Sequence, residues 1–283
     1  MEHLRISRIL AVSAFNGVNM ENRGTTAVTM VVTSCNRFDL LERTLASFTA
    51  HNDYPISRLI LIEDSGNVAV ESIADKFPEL NIEVIINSPS IGQYASIDKA
   101  YSMVDTEFIF HCEDDWEFSQ PSVIRNSILL MEADPSIALV WPRSDAGAPP
   151  WLKKWPYEEL NGVSMRPIDP KAHHVWGNFT FNPGLRRLSH YKMMPGGYSA
   201  MGEARTSIYL KRQGYRAVVL AKGGVRHIGG EGRSTGSALA TIAAGKKTSK
   251  LSRRIVRARL SLSRRLSHMM WKLSLLFASD KAQ

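Results

Sequence analysis

Three features of the chain predict an α/β fold with a mostly parallel, twisted sheet flanked by helices. Short, β-branched apolar runs alternate with segments of helical periodicity over residues 28–118. The runs are apolar throughout, which marks strands buried on both faces. Each run is followed by a polar segment, at residues 34–37, 63–66, 87–93 and 113–116. Right-handed crossovers bring such segments to one edge of a parallel sheet, and that edge is where open α/β sheets bind their ligands.

The elements follow in order. Residues 28–33 form a β-branched strand. Asp39 is placed to cap a helix over residues 40–49, where Leu41, Leu45 and Phe48 recur at helical spacing. Residues 59–62 read as a second strand, 70–77 as a helix and 82–86 as a third strand. Residues 92–104 read as a helix and 108–112 as a fourth strand. Ser119-Gln120-Pro121 opens a helix running to about Ala133, and residues 137–141 are another strand. Residues 142–172 hold many Pro and Trp and read as irregular; loops of that length are usually functional. Residues 175–181 resume a strand pattern and Asn182-Pro183-Gly184 is a turn. A helix over 201–213 ends at Gly214, a strand covers 215–220, and residues 225–234 form a Gly-rich loop.

Composition narrows the function classes. The chain has 283 residues, 44% of them hydrophobic, enough for one large domain or two small ones. The formal charge of +8 is unevenly spread. Residues 246–283 hold eleven Lys/Arg and one acid (+10), and the rest holds twenty-four Lys/Arg and twenty-six acids (−2). A near-neutral body argues against a nucleic-acid partner. Cys35 and Cys112 read as a reduced pair in a cytoplasmic protein, and zinc-type Cys/His spacing is absent. The chain lacks the run of about eighteen apolar residues that a membrane-spanning helix needs. Residues 1–25 read as a flexible leader.

The most telling stretch is Phe108-Ile109-Phe110-His111-Cys112-Glu113-Asp114-Asp115-Trp116. An apolar strand stops at three consecutive acids, whose mutual repulsion is costly unless a cation lies among them. Hard divalent ions take carboxylate oxygens and keep substrate phosphates as further ligands. The tip therefore proposes a metal–phosphate site.

With its neighbours, this motif resembles the family 2 inverting glycosyltransferases, which have the GT-A fold. The match runs from about Thr26 to about Arg233. It implies a GT-A domain over residues 26–235, with a nucleotide-binding half at 26–118 and an acceptor half at 119–235. The family's first strand runs into a loop that holds the base, here Thr33, Ser34, Asn36 and Arg37. Its acidic second turn appears in permuted form as Glu63-Asp64-Ser65-Gly66, which makes Asp64 the contact to base or ribose. A third segment supplies Gly92 and Gln93. The family's D-x-D-type motif is matched by Glu113-Asp114-Asp115. Asp115 is then the metal ligand, with Glu113 assisting through metal or ribose and Asp114 the alternative register.

The resemblance also implies a Mn²⁺ or Mg²⁺ cofactor and a nucleotide-sugar donor, UDP being the family's commonest nucleotide. Downstream, Glu203 matches the position of the catalytic base, with only one acid of the usual pair. His227 matches a histidine that completes the metal shell, and Arg226 and Arg233 are placed to reach the diphosphate. Trp151, Trp176 and Asn178 fall where an acceptor should bind, since aromatic faces stack on sugar rings and Asn bonds hydroxyls. A glycan or glycolipid acceptor is implied. The other readings on this scaffold are a sugar-nucleotide nucleotidyltransferase and a non-catalytic glycan- or nucleotide-binding protein. The absence of glycine from Ser34-Cys35-Asn36-Arg37 counts against the nucleotidyltransferase.

From Leu251, apolar residues recur in steps of three and four, at Ile255, Ala258, Leu262, Leu266, Met269, Leu273 and Leu276. Arginines lie largely opposite. Residues 246–283 thus read as a basic amphipathic helical tail suited to an anionic membrane surface. Packing on the body or on a partner is the other use of such a face. The expected location is cytoplasmic, with peripheral attachment to the inner face of the membrane.

Overall fold

Continuous apolar sequence builds the first half of the sheet. In the computed structural model, which describes residues 26–143, 155–173, 175 and 177–230, β1 (Val28–Ser34), β2 (Arg58–Glu63), β3 (Ile82–Ile86) and β4 (Phe108–Glu113) pair in parallel, in the order β3-β2-β1-β4. Successive side chains enter opposite faces. Val28, Met30 and Val32 pack with Leu41, Leu45 and Phe48 of α1 (Phe38–His51) and with Val70 and Ile73 of α2 (Val70–Ala74). On the other face Val31, Ile60 and Ile109 pack with Ile97, Ala100 and Tyr101 of α3 (Gln93–Ser102). The register sets the polar strand ends level: Ser34 lies opposite Glu63, and Thr33 opposite Glu113.

The second half supplies β5 (Trp116–Phe118), α4 (Val123–Ala133), β6 (Ile137–Trp141), β7 (Glu158–Leu160), β8 (Val163–Pro167), β9 (Gly184–Arg187), α5 (Leu188–Lys192), α6 (Gly197–Arg212), β10 (Arg216–Leu220) and β11 (Val225–His227). The large sheet continues past β4 as β9-β6-β10-β8-β7, and β11 pairs with β5 in a separate ribbon. β9 is antiparallel to both β4 and β6, β10 is parallel to β6, and β8 is antiparallel to β10 and β7. Following these pairings, only β8 and β9 run against the other seven strands. The mostly parallel sheet is as expected, and β6 keeps the direction of β4.

Several local expectations change. The first helix starts at Phe38, and no side chain caps it, so Asp39 lies inside its first turn. The second helix stops at Ala74 because Pro78 steers Phe77 out of the helical region. The segment expected to be irregular contains the β7–β8 hairpin. Its Asn161-Gly162 turn has φ of 52° and 74°, the left-handed pair that matches the twist of a two-residue hairpin. Residues 177–181 are not a strand: Gly177 takes φ 106°, and Phe179 and Phe181 join the core beside Tyr198. The strand comes later and begins at Gly184, where a Cβ would sit 2.6 Å from the Val140 carbonyl oxygen.

Two histidines are buried without charge partners. His111 of β4 packs on Tyr101 and Phe181, neither of its ring nitrogens has a hydrogen-bond partner, and burial holds its pKa well below 6.5. His190 of α5 packs 4.3 Å from the Tyr215 ring, and burial, then Arg187, pushes it down to about 4. The unfolded chain binds protons at pH values where the fold does not. The contribution of these two histidines to stability should therefore be full above about pH 6.5 and fall as pH drops toward 4, with roughly 2–3 kcal/mol of that loss due to His190. Urea midpoints across that range should slope less steeply for His190→Phe than for wild type; parallel slopes would contradict the assignment.

Candidate active site

The level strand ends open on a cavity of about 230 Å³. Its floor comes from β1 through Thr33, Ser34 and Cys35, and its acidic wall from Glu113, Asp114 and Asp115. Helix α1 fixes that wall. The Thr44 hydroxyl donates to the Asp114 carbonyl at 2.8 Å and accepts the Trp116 amide at 3.1 Å, and Ser47 Oγ accepts the Phe118 amide at 3.0 Å. The ribbon closes the other side, because Ile228 N–H donates to the Asp115 carbonyl at 2.8 Å and His227 pairs with Trp116.

The three acids are held in three ways. Asp114 is 1% exposed and accepts from Cys35 N–H at 3.3 Å and Arg37 Nε at 3.1 Å, with Arg37 Nη2 on its other oxygen. Burial pushes Asp114 up to about 6, with Asp115 adding to the rise and Arg37 opposing it. Asp115 Oδ2 accepts from Arg37 Nη1 at 2.7 Å and lies 3.2 Å from His227 Nε2. Glu113 takes neutral donors, Gln93 Nε2 at 2.9 Å and the Trp116 indole N–H at 3.2 Å. Burial, then Asp115, pushes Glu113 up to about 8. Gly229 leaves room beside this group; a Cβ there would lie 2.4 Å from Asp115 Oδ2.

The permuted acidic turn after β2 does two jobs. Glu63 is fully buried, and one of its oxygens accepts the amides of Asn36 at 3.0 Å and Ser65 at 2.9 Å. Asp64 accepts four hydrogen bonds, from Asn87 Nδ2 at 3.0 Å, Ser90 Oγ at 2.7 Å, and the amides of Ile91 and Gly92 at 2.8 Å each. Burial acts to raise its pKa, but these bonds outweigh it and hold the carboxyl below its usual range. Residues 87–92 are thereby wrapped around one carboxylate, with Gly92 at φ 87° leading into α3.

Glu203 stands at the break in α6. Asp98 of α3 accepts the amides of Tyr198 and Ser199 at 2.8 Å each and the Ser199 hydroxyl at 2.6 Å, which anchors the start of α6. Gly202, at φ 61° and ψ 171°, interrupts the helix, and Glu203 begins its second stretch. Glu203 Oε1 accepts the Phe181 amide at 3.1 Å, and its charge reaches Glu113, adding to the rise there.

The structure thus gathers Thr33, Ser34, Arg37, Asp64, Gln93, Glu113, Asp114, Asp115 and His227 on one cavity. Five expected residues are not part of its lining: Gly92, whose amide is held by Asp64, Glu203, held by the Phe181 amide, and three that face elsewhere. Asn36 Oδ1 accepts from Asn67 Nδ2 at 2.9 Å on the outside of the loop. Arg226 alternates with His227 on β11 and pairs with Glu117 at the surface, its side chain 68% exposed. Asn178 is fully buried and donates its amide to the Tyr215 carbonyl, so it takes part in the core and not in the cavity wall. Trp151, Trp176, Arg233 and the 246–283 tail lie outside the described residues. Sequence reasoning did not single out Cys35, Ser96 and Gly229, which also line the cavity. Ser96 could have been found one helical turn past Gly92. Among the described residues, no cluster of three or more His, Cys, Asp or Glu forms a ready-made metal site, and no helix is long and apolar enough to cross a membrane.

Residues 29–193 match the family described as glycosyl transferase family 2. No curated protein matches the chain. The solved structure of S. aureus TarS 1–349 in complex with UDP-GlcNAc is similar, with a TM-score of 0.58 at 13% identity over 75% of this chain. The chain spans 61% of the length of that TarS structure. The mannosyltransferase PcManGT from Pyrobaculum calidifontis, in complex with GDP-Man and Mn²⁺, gives 0.55 at 16% identity over 92% of this chain and 77% of that one. At such identities the likeness speaks for the fold. Together with the family match, it supports the GT-A architecture. The chain belongs to glycosyl transferase family 2, whose model covers more than half of it.

Thr44→Val should leave a buried carbonyl and a buried amide unpaired, lowering stability by about 1–3 kcal/mol. Thermal denaturation should show Thr44→Ser close to wild type. Equal losses in both variants would mean that the methyl group, not the hydroxyl, matters.

Proposed function

We propose that this enzyme transfers a sugar, with inversion, from a nucleotide-sugar donor to a hydroxyl of a glycan or glycolipid acceptor, and that transfer depends on a divalent cation. The observation that carries the reading is the convergence of Glu113, Asp115 and His227 on one cavity beside Ser34 and Asp64. Asp115 and His227 would hold Mn²⁺ or Mg²⁺. The Asp115 Oδ2 and His227 Nε2 atoms already face each other at 3.2 Å, and glycine at 229 puts no side chain against the carboxylate. A bound divalent ion there supplies Lewis-acid stabilisation of the charge that develops on the departing diphosphate.

The chain's own residues do the rest. Thr33 and Ser34 face the nucleoside, and Asp64 shapes the loop that covers it. Gln93 and Trp116 fix the Glu113 carboxyl. Arg37 is a fixed positive charge beside the phosphates, oriented by Asp114 and Asp115 before substrate arrives. Glu203 accepts the proton of the acceptor hydroxyl as its oxygen bonds to the anomeric carbon and the nucleoside diphosphate leaves from the opposite side. UDP is taken as the nucleotide on family analogy. On this reading the enzyme is cytoplasmic, and residues 246–283 hold it on the inner face of an anionic membrane.

Two measurements test the reading. UDP or GDP with Mn²⁺ should raise the thermal midpoint of the wild type, and Asp115→Ala should lose the metal-dependent part of that rise. A rise retained in full would remove Asp115 from metal binding. Glu203→Gln should cut kcat by about 10²–10⁴-fold while donor affinity stays within a factor of about two. A loss confined to donor affinity would rule out its role as base.

A further inference from the structure

Arg143 follows β6, two residues past Trp141, on the same edge of the sheet as the cavity. Its backbone bridges Val225, two residues before His227. Its guanidinium lies 5.8 Å from the centroid of the Trp116 ring and 5.6 Å from that of Trp141. Trp116 itself packs on His227, with centroids 5.1 Å apart, and its indole N–H donates to Glu113. A single indole therefore separates Arg143 from the acidic wall and from His227.

The electrostatics of this arginine are unusual within the chain. Arg37 pairs with Asp114 and Asp115, Arg58 with Glu83, Arg187 with Glu107 and Arg216 with Asp134. Arg186 donates to the carbonyls of Thr180 and Asn182. Arg143 is half-buried like these, yet among the described residues only aromatic faces meet its charge. Burial lowers its pKa, with no carboxylate to oppose the effect. A desolvated cation without an anion costs stability, and ring quadrupoles offset only part of that cost. The guanidinium is a planar fork of donors, matched in shape to a carboxylate or phosphate. Trp116 and Trp141 flank the guanidinium itself, which limits the directions from which an anion can reach it.

We propose that Arg143 binds an oxyanion, a phosphate or a carboxylate, carried by one of the two substrates and seated across Trp116 from Glu113 and His227. This builds on the transfer reading above and adds a chemical requirement to it. The anion is either the donor's diphosphate or an acidic group on the acceptor glycan.

Two assays on the full chain separate these sources, using Arg143→Gln and Arg143→Lys. The first is calorimetry with inorganic pyrophosphate and Mn²⁺, which depends on no base or sugar. The second is retention of the protein on arrayed glycans, uronate-containing or phosphorylated against neutral counterparts. A tenfold or greater loss of pyrophosphate affinity in Arg143→Gln assigns the donor diphosphate. Unchanged pyrophosphate binding with lost retention on acidic glycans assigns the acceptor. In either case Arg143→Lys, which keeps the charge without the fork, should recover part of the binding, and neutral glycans should not distinguish the variants. The proposal is overturned if Arg143→Gln matches wild type in both assays, or if wild type binds neither pyrophosphate nor any acidic glycan. Asp115→Ala, run alongside, should affect pyrophosphate but not glycan retention, so a failure of the metal reading is told apart from a failure of the Arg143 assignment.

Discussion

The tip of β4 must hold three adjacent carboxylates against their own repulsion, and the architecture around it follows from that constraint. Arg37 reaches from the end of β1 to both aspartates, so the first strand and its loop are tied electrostatically to the fourth. Helix α1 grips the backbone of the same turn through Thr44 and Ser47. The ribbon brings His227 and Gly229 to the remaining side. Even so, the compensation is incomplete. Glu113 meets only neutral donors, and its burial favours the protonated form. A site left short of positive charge is one that a cation and its phosphates can complete.

Much of this was legible in the sequence because the first half of the chain obeys one rule at a time. Continuous apolar runs mark the parallel strands, and the strands expected at 82–86 and 137–141 have the observed bounds. The motif at Glu113-Asp114-Asp115 marks the site because consecutive acids after an apolar run have few structural uses. The second half was less legible where local pattern and tertiary packing disagree. Residues 175–181 alternate like a strand, but Gly177 turns the chain and the phenylalanines pack around Tyr198. The strand that fills the gap between β4 and β6 is four residues long and starts with a glycine required by its neighbour's backbone. The Asn161-Gly162 hairpin was signalled plainly but lay within a Pro- and Trp-rich stretch that dominated its reading.

For the site, a motif locates a residue along the chain without giving its facing. His227 and Arg226 are neighbours in sequence, and the two-residue period of β11 sends them to different surroundings. Asn178 has the chemistry of a sugar contact, but its burial against Tyr215 is a tertiary fact. The permuted Glu63-Asp64 turn makes sense only in three dimensions. Glu63 gathers the amides of two loops, and Asp64 organises a third. Both acids act as templates for backbone.

Asp98 has a wider consequence. It belongs to the helix that follows residues 87–92, yet it seats the start of the helix that carries Glu203, beside a glycine whose Cβ would collide with it. Helices α3 and α6 are thus joined through one carboxylate that accepts two amides and a hydroxyl. Chimeras that exchange the second half of the chain among related enzymes would keep Glu203 in place only if this aspartate and its Gly196-Gly197 socket travelled as a unit. The practical seam for modular engineering therefore runs through the third helix, not through Phe118 at the end of β5.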